Sequence, residues 1–269
     1  GKALDILESA LILGSIYIVF GANDYQKTAN SDVVIITSGS GRKPGMTRDE
    51  LLKVNMEIVS EVTGNVAKYS PGCVIIMVTN PVEAMTYLAL KVSGFAPNRV
   101  LGLSGVLDSA RLISLIADEL KVPVAEISAY ILGEHGKNMV IIPRLATVKG
   151  VPITKLLPQE TVNRLVERTI NGGAEIVSLL KTGSAFYAPS AAAAHMVEAI
   201  ILDKKEILPC AVYLQGEYGI KDVVIGVPVK LGKNGIEKIV ELELTEEERK
   251  DLADSAEAVR QAINIMNLG

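Results

Sequence analysis

The chain has 269 residues, a formal net charge of −4, 49% hydrophobic and 4% aromatic residues, and no tryptophan. That length buries one large core or two modest ones. The acidic balance excludes a basic nucleic-acid footprint, and the scarcity of aromatics excludes a base-stacking platform. Cys73 and Cys210 are too few and too far apart for a disulfide framework or a metal site, and fit reduced thiols in a cytoplasmic protein.

Gly1 to Ala10 reads as a helix. Ala10 to Phe20 is apolar but shorter than the about 18 residues of a membrane span. Asp5 and Glu8 precede it, where a signal peptide carries basic residues. Ser15 to Phe20 is therefore predicted as a buried strand. Asn23 to Ser31 is polar and leads to a second strand, Asp32 to Thr37, whose apolar, β-branched run suits a strand covered on both faces of a parallel sheet. A turn-rich loop, Ser38 to Met46, precedes Thr47-Arg-Asp-Glu50, a capping box that opens a helix ending near Tyr69. Cys73 to Thr79 is the third strand, a helix runs from Val82 to Gly94, and Arg99 to Leu103 is a further strand. This alternation predicts an α/β, Rossmann-type parallel sheet with helices on both faces.

Beyond residue 104 a helix leads through Pro123 to Val124–Leu132, where Ile127, Ala129 and Ile131 alternate with polar residues as in a strand. Met139 to Ile142 is another strand, and Ala146 to Ile153 a hairpin turning at Lys149-Gly150. Helices follow over Gln159–Lys181 and Ser190–Asp203. Strands Ile207–Leu214 and Val223–Leu231 flank Gln215-Gly-Glu-Tyr-Gly219, and a second capping box, Thr245 to Glu248, opens a last helix reaching about Asn267. This half reads as α+β. The division predicted is 1–103 for one unit and 104–269 for the other.

The chemistry-bearing residues lie from Ser104 to Gly136. Asp108 and Arg111 stand three apart and share one helical face. His135, one of only two histidines, sits between Gly133 and Gly136 at a strand end. Asp108 can orient the imidazole while Arg111 grips a carboxylate as a two-pronged fork. Taken alone, such an Asp–Arg pair is more often a solvated surface pair. Gly39-Ser-Gly41 imitates a dinucleotide fingerprint, but its third glycine, Gly45, comes one position late behind Pro44, so it is rejected as the phosphate loop. Arg42 and Arg48 on this loop can form a positively charged lid. Asn80 ends a buried strand at the sheet edge, where ligands of open α/β folds bind.

Together the motifs Thr28-Ala-Asn-Ser-Asp32, Arg42 to Arg48, Val54-Asn55, Val78-Thr-Asn80-Pro81, Leu107-Asp-Ser-Ala-Arg111, Gly133 to Gly136, Lys181 to Pro189 and Gln215 to Gly219 resemble the lactate/malate dehydrogenase family over essentially the whole chain. The family opens with a β-α-β unit of roughly 30 or more residues that carries the glycine fingerprint. Gly1 to Asp5 looks like the helix that follows it. The expectation is a truncated enzyme that lacks its first β-α-β unit and binds NADH weakly. Smaller departures are Gly41 and Lys137, where the family commonly has proline and an acid.

The resemblance implies NAD-dependent, reversible oxidation of malate to oxaloacetate. Its catalytic residues would be His135, Asp108 and Arg111. Arg111 would hold the C1 carboxylate, Arg42 the second carboxylate, Arg48 the C2 oxygen, and Asn80 both substrate and nicotinamide ribose. Gly39, Asn55, Val78, Thr79 and Asn80 would border the cofactor NAD, with no metal. The partners implied are a small dicarboxylate and further copies of the chain in a homodimer or homotetramer, with neither nucleic acid nor membrane. One alternative is a lactate or other 2-hydroxy acid dehydrogenase, which Arg42 disfavours because lactate has a methyl group there. Another is a non-catalytic remnant unable to bind NAD.

Overall fold

A computed structural model of the protein describes residues 1–12, 14–15, 17–41 and 46–267. Helix α1 spans Lys2–Ile12, and strand β1 (Val33–Ile36) follows a 3-10 turn at Tyr25–Thr28. Helix α2 (Arg48–Tyr69) starts at Thr47, whose hydroxyl accepts from the Glu50 N–H while the Glu50 carboxylate accepts from the Thr47 N–H. Then come β2 (Val74–Met77), α3 (Val82–Ser93), which ends at left-handed Gly94, and β3 (Val100–Gly102). The remaining elements are α4 (Gly105–Leu120), β4 (Ile127–Ser128), β5 (Ile131–Gly133), β6 (Met139–Ile141), β7 (Thr147–Val148), β8 (Val151–Pro152), α5 (Ile153–Leu156), α6 (Gln159–Leu180), α7 (Tyr187–Ile201), β9 (Glu206–Gln215), β10 (Lys221–Gly232), β11 (Gly235–Ile239) and α8 (Glu246–Ile265).

The fold is α/β. Strands β1, β2 and β3 are parallel neighbours, as their apolar runs and helical crossovers require. β3 then meets β9 antiparallel at Gly102 and Ala211, and β9, β10, β5 and β6 continue the same sheet, with β11 on the far part of β10. One sheet thus runs through both halves of the chain. β4, β7 and β8 form a small second sheet.

Strand β2 shows how the layers are held. Val74 and Ile76 enter a cluster with Met196 and Ile200 of α7, whereas Ile75 and Met77 enter one with Leu52 and Val59 of α2 and Leu88 of α3. Successive side chains of a strand point to opposite faces, so a strand without polar residues demands cover on both. Each such burial contributes about 1.5–3 kcal/mol. A third cluster joins Leu112 and Ile116 of α4 to Ile131 of β5 and to Val162 and Leu165 of α6, which fixes α4 beside the strand that leads to His135.

Three expectations are corrected. The strand expected over Ser15 to Phe20 is not found among the described residues there: residues 17–20 have no ladder partner among the described residues, and Ile18 is 85% exposed. Apolar sequence does not make a strand without a neighbour to take its backbone hydrogen bonds. β1 pairs only β2 among the described strands, so it is an edge, and Ile35 is exposed rather than covered. The single strand expected over Val124–Leu132 is a 3-10 turn followed by β4 in the small sheet and β5 in the large one. Ile127, Ala129 and Ile131 are all buried. The alternation therefore reported burial correctly, yet carried nothing about which strand each residue pairs with. Among the described residues no helix is long and apolar enough to cross a membrane.

Candidate functional site

Asp108 lies in the first turn of α4 and is 1% exposed, so the surface-pair reading fails. Its Oδ1 accepts from Arg111 Nη1 at 2.9 Å, and its Oδ2 lies 2.7 Å from His135 Nδ1. The carboxylate assigns the proton to Nδ1 and leaves Nε2 as the ring nitrogen that exchanges protons. Burial works to lower the His135 pKa. The hydrogen bond and charge of Asp108, with the charge of Glu83, outweigh it, and the imidazole's pKa is raised above its ordinary value.

The turn that presents His135 depends on Gly133. Its φ is +87°, and a Cβ there would stand 2.8 Å from Ser255 Oγ and 2.9 Å from the Asn138 carbonyl oxygen. That space is taken because Ser255 Oγ accepts from the Glu134 N–H at 2.8 Å and donates to the Asn138 carbonyl at 2.6 Å. Helix α8 thereby pins the turn from outside.

Arg111 commits Nη1 to Asp108, while its Nε is buried with no partner among the described residues. A buried N–H left unpaired costs about 1–3 kcal/mol, and the side-on edge of a guanidinium matches the two oxygens of a carboxylate. Gly172 of α6 lets the side chain lie close, since a Cβ there would be 3.1 Å from Arg111 Cδ. Arg111, His135, Asn80, Leu107, Ser184 and Ala185 are among the residues lining a cavity of about 270 Å³.

A second cavity, about 780 Å³, adjoins it and shares Val78, Asn80, Ser184, Ala185 and Pro189. It opens at the carboxyl ends of β1 and β2 and is lined also by Gly39, Asn55 and Thr79. The Asn55 amide is fully engaged: its Oδ1 accepts from the Ser40 N–H at 2.7 Å, and its Nδ2 donates to the Asn80 carbonyl at 2.9 Å. Thr79 Oγ1 donates to the Ser38 carbonyl at 2.7 Å. Both side chains shape the cleft by holding the loop after β1 against the end of β2. This volume at a sheet's carboxyl edge suits a nicotinamide nucleotide. Gly39, Asn55, Val78, Thr79 and Asn80, the residues expected to border the cofactor, all line this cavity.

Arg42 lies outside the described residues. Arg48 is the first residue of α2. Sequence reasoning missed Glu83, Ser104 and Ser255. Glu83 carried the one available signal, a carboxylate among Val82, Ala84 and Met85, but an acid in a helix's first turn reads as an ordinary dipole partner.

Comparison with known proteins agrees with this geometry. Residues 1–102 match the lactate/malate dehydrogenase NAD binding domain, and residues 105–267 match the lactate/malate dehydrogenase alpha/beta C-terminal domain. Malate dehydrogenase of Methanosarcina mazei is 51% identical over 100% of this chain and 87% of its own length. That of Thermomicrobium roseum is 53% identical over 99% and 86%. Among solved structures, apo malate dehydrogenase from Picrophilus torridus superposes with a TM-score of 0.96 at 44% identity, covering 99% of this chain and 85% of the other. The Cryptosporidium parvum lactate dehydrogenase complexed with lactic acid and nicotinamide adenine dinucleotide gives 0.95 at 40%, covering 100% and 86%. The chain belongs to the lactate/malate dehydrogenase family.

Proposed function

We propose that this protein is an NAD-dependent malate dehydrogenase that interconverts malate and oxaloacetate. The observation that carries the reading is the Arg111–Asp108–His135 array at a small cavity, built on buried Asp108, with Arg111 Nε unpartnered among the described residues. NAD, when bound in the adjoining cleft, supplies the redox chemistry at the substrate's C2. The chain supplies orientation and charge. Arg111 holds the C1 carboxylate, so the C2 oxygen is presented to His135. His135 Nε2 takes the hydroxyl proton in malate oxidation and returns it in oxaloacetate reduction. Asp108 fixes the ring and stabilises its cationic form. Arg42 pairs with the second carboxylate, and Arg48 polarises the C2 oxygen.

The relatives at 50–53% identity that are named malate dehydrogenase support the dicarboxylate over lactate. Lactate dehydrogenases also superpose closely, at 37–40% identity, so the lactate reading stays in the test. Residues 1–103 form the cofactor part and 104–269 the catalytic part of the molecule. Both cysteines are free and buried, which supports a reducing, cytoplasmic setting. NADH oxidation followed at saturating oxaloacetate and at saturating pyruvate tests the reading. Turnover with oxaloacetate that Asp108→Asn lowers by orders of magnitude is expected, and turnover with neither substrate would sink it.

A further inference from the structure

Glu83 in the first turn of α3 is as buried as Asp108, at 1% exposure, and has no part in the scheme above. Its Oε1 accepts two hydrogen bonds, from Ser104 Oγ at 2.8 Å and from the His135 main-chain N–H at 2.9 Å. Ser104 immediately precedes α4. A single oxygen therefore ties three pieces of chain together: the start of α3, the entry to the helix that carries Asp108, and the turn that carries His135. Buried carboxylates are rare unless a cation is paired with them. The charged side chain whose field acts on Glu83 is His135, which itself faces Asp108 and, through it, Arg111.

We propose that Glu83 is a positioning residue, which fixes the His135 main chain from behind and supplies a second carboxylate against which the imidazole takes up its proton. Asp108 holds the ring by Nδ1, and Glu83 holds the backbone that carries the ring. Burial pushes the Glu83 carboxyl up to about 7, against the opposing pull of the His135 charge and of its hydrogen bonds. Each group's charge acts on the other, so the two protonations are coupled. The consequence for turnover rests on the malate reading: oxaloacetate reduction needs a protonated His135, and a charge on Glu83 keeps it protonated to higher pH.

Glu83→Gln separates this role from simple packing. Its amide oxygen still accepts from Ser104 and from the His135 N–H, and only the charge is lost. The imidazole titration is read by nitrogen-edited NMR on the whole protein, where His195 is the sole other histidine and serves as the internal control. The His135 midpoint is expected to fall to lower pH in Glu83→Gln and to fall less in Glu83→Asp, which keeps the charge. The pH limb of kcat/KM for oxaloacetate moves in the same direction. An unmoved His135 midpoint in folded Glu83→Gln overturns the proposal. Should that variant not fold, Ser104→Ala removes the hydroxyl that favours the ionised carboxyl. It too is expected to lower the midpoint, and an unmoved midpoint again overturns the proposal. A shifted midpoint in a protein that does not turn over oxaloacetate would bring down the malate reading and leave Glu83's role standing.

Discussion

Asp108 spends one oxygen on each partner, so neither can be replaced without disturbing the other. Asp108→Asn keeps the shape but offers His135 an amide, which no longer selects the tautomer or stabilises the cation. We expect kcat for oxaloacetate to fall by roughly two to four powers of ten, with NADH binding followed by fluorescence unchanged. Arg111→Gln should instead lower kcat/KM for oxaloacetate and pyruvate alike, because both carry the C1 carboxylate. Glu83 bears on stability too. Its folded-state pKa of about 7 lies above the ordinary 4.5. Its share of stability is therefore complete below pH 4.5 and lost as pH rises through about 7, by on the order of 3 kcal/mol. His135, also raised, loses its share in the same direction as pH climbs past its folded value. Urea unfolding at pH 5 and pH 8 should show a fall in the wild type that is smaller in Glu83→Gln. An equal fall in both would contradict it.

Helix α8 links stability to the site. Thr245 and Glu248 cap it reciprocally, Arg144 bonds the same glutamate at 2.8 Å, and Ser255 two turns on holds the His135 turn. Thr245→Ala is expected to lower unfolding free energy by about 1 kcal/mol in urea titrations. No change would mean that Arg144 alone secures the helix start. Both capping boxes, the end of α3 at Gly94 and the Lys149-Gly150 hairpin were legible because each is decided within a few residues of chain. Ser15 to Phe20 and the division of Val124–Leu132 between two sheets were not. What decides a strand there is its neighbour, and no local pattern names that neighbour. The site divides the same way. Asp108, Arg111 and His135 each have a bland reading taken singly, and it is their place in a series of family motifs in order that made them legible. Glu83 is a commonplace residue until the fold buries it.

For the molecule as a whole, one continuous sheet runs through both halves, and the larger and smaller cavities are neighbours with shared walls. Leu4, Ile6, Leu11 and Ile12 on α1, with Leu179, Phe186 and Tyr187 around the end of α6 and the start of α7, leave large apolar side chains exposed. Surfaces of that kind are ordinarily covered by association. Sedimentation should give a dimer or tetramer, and a monomer at micromolar concentration would contradict this. The central claim is that the second carboxylate of the substrate is read, and Arg42 is the residue assigned to read it. Steady-state kinetics on oxaloacetate and pyruvate, for the wild type and Arg42→Gln, test it most directly. Leaving a desolvated carboxylate without its cation costs about 3–5 kcal/mol, roughly two to four powers of ten in kcat/KM. The expected result is a wild type that prefers oxaloacetate and an Arg42→Gln variant that loses that factor on oxaloacetate while its pyruvate activity holds or rises. Equal losses on both substrates, or a wild type that prefers pyruvate, would contradict it.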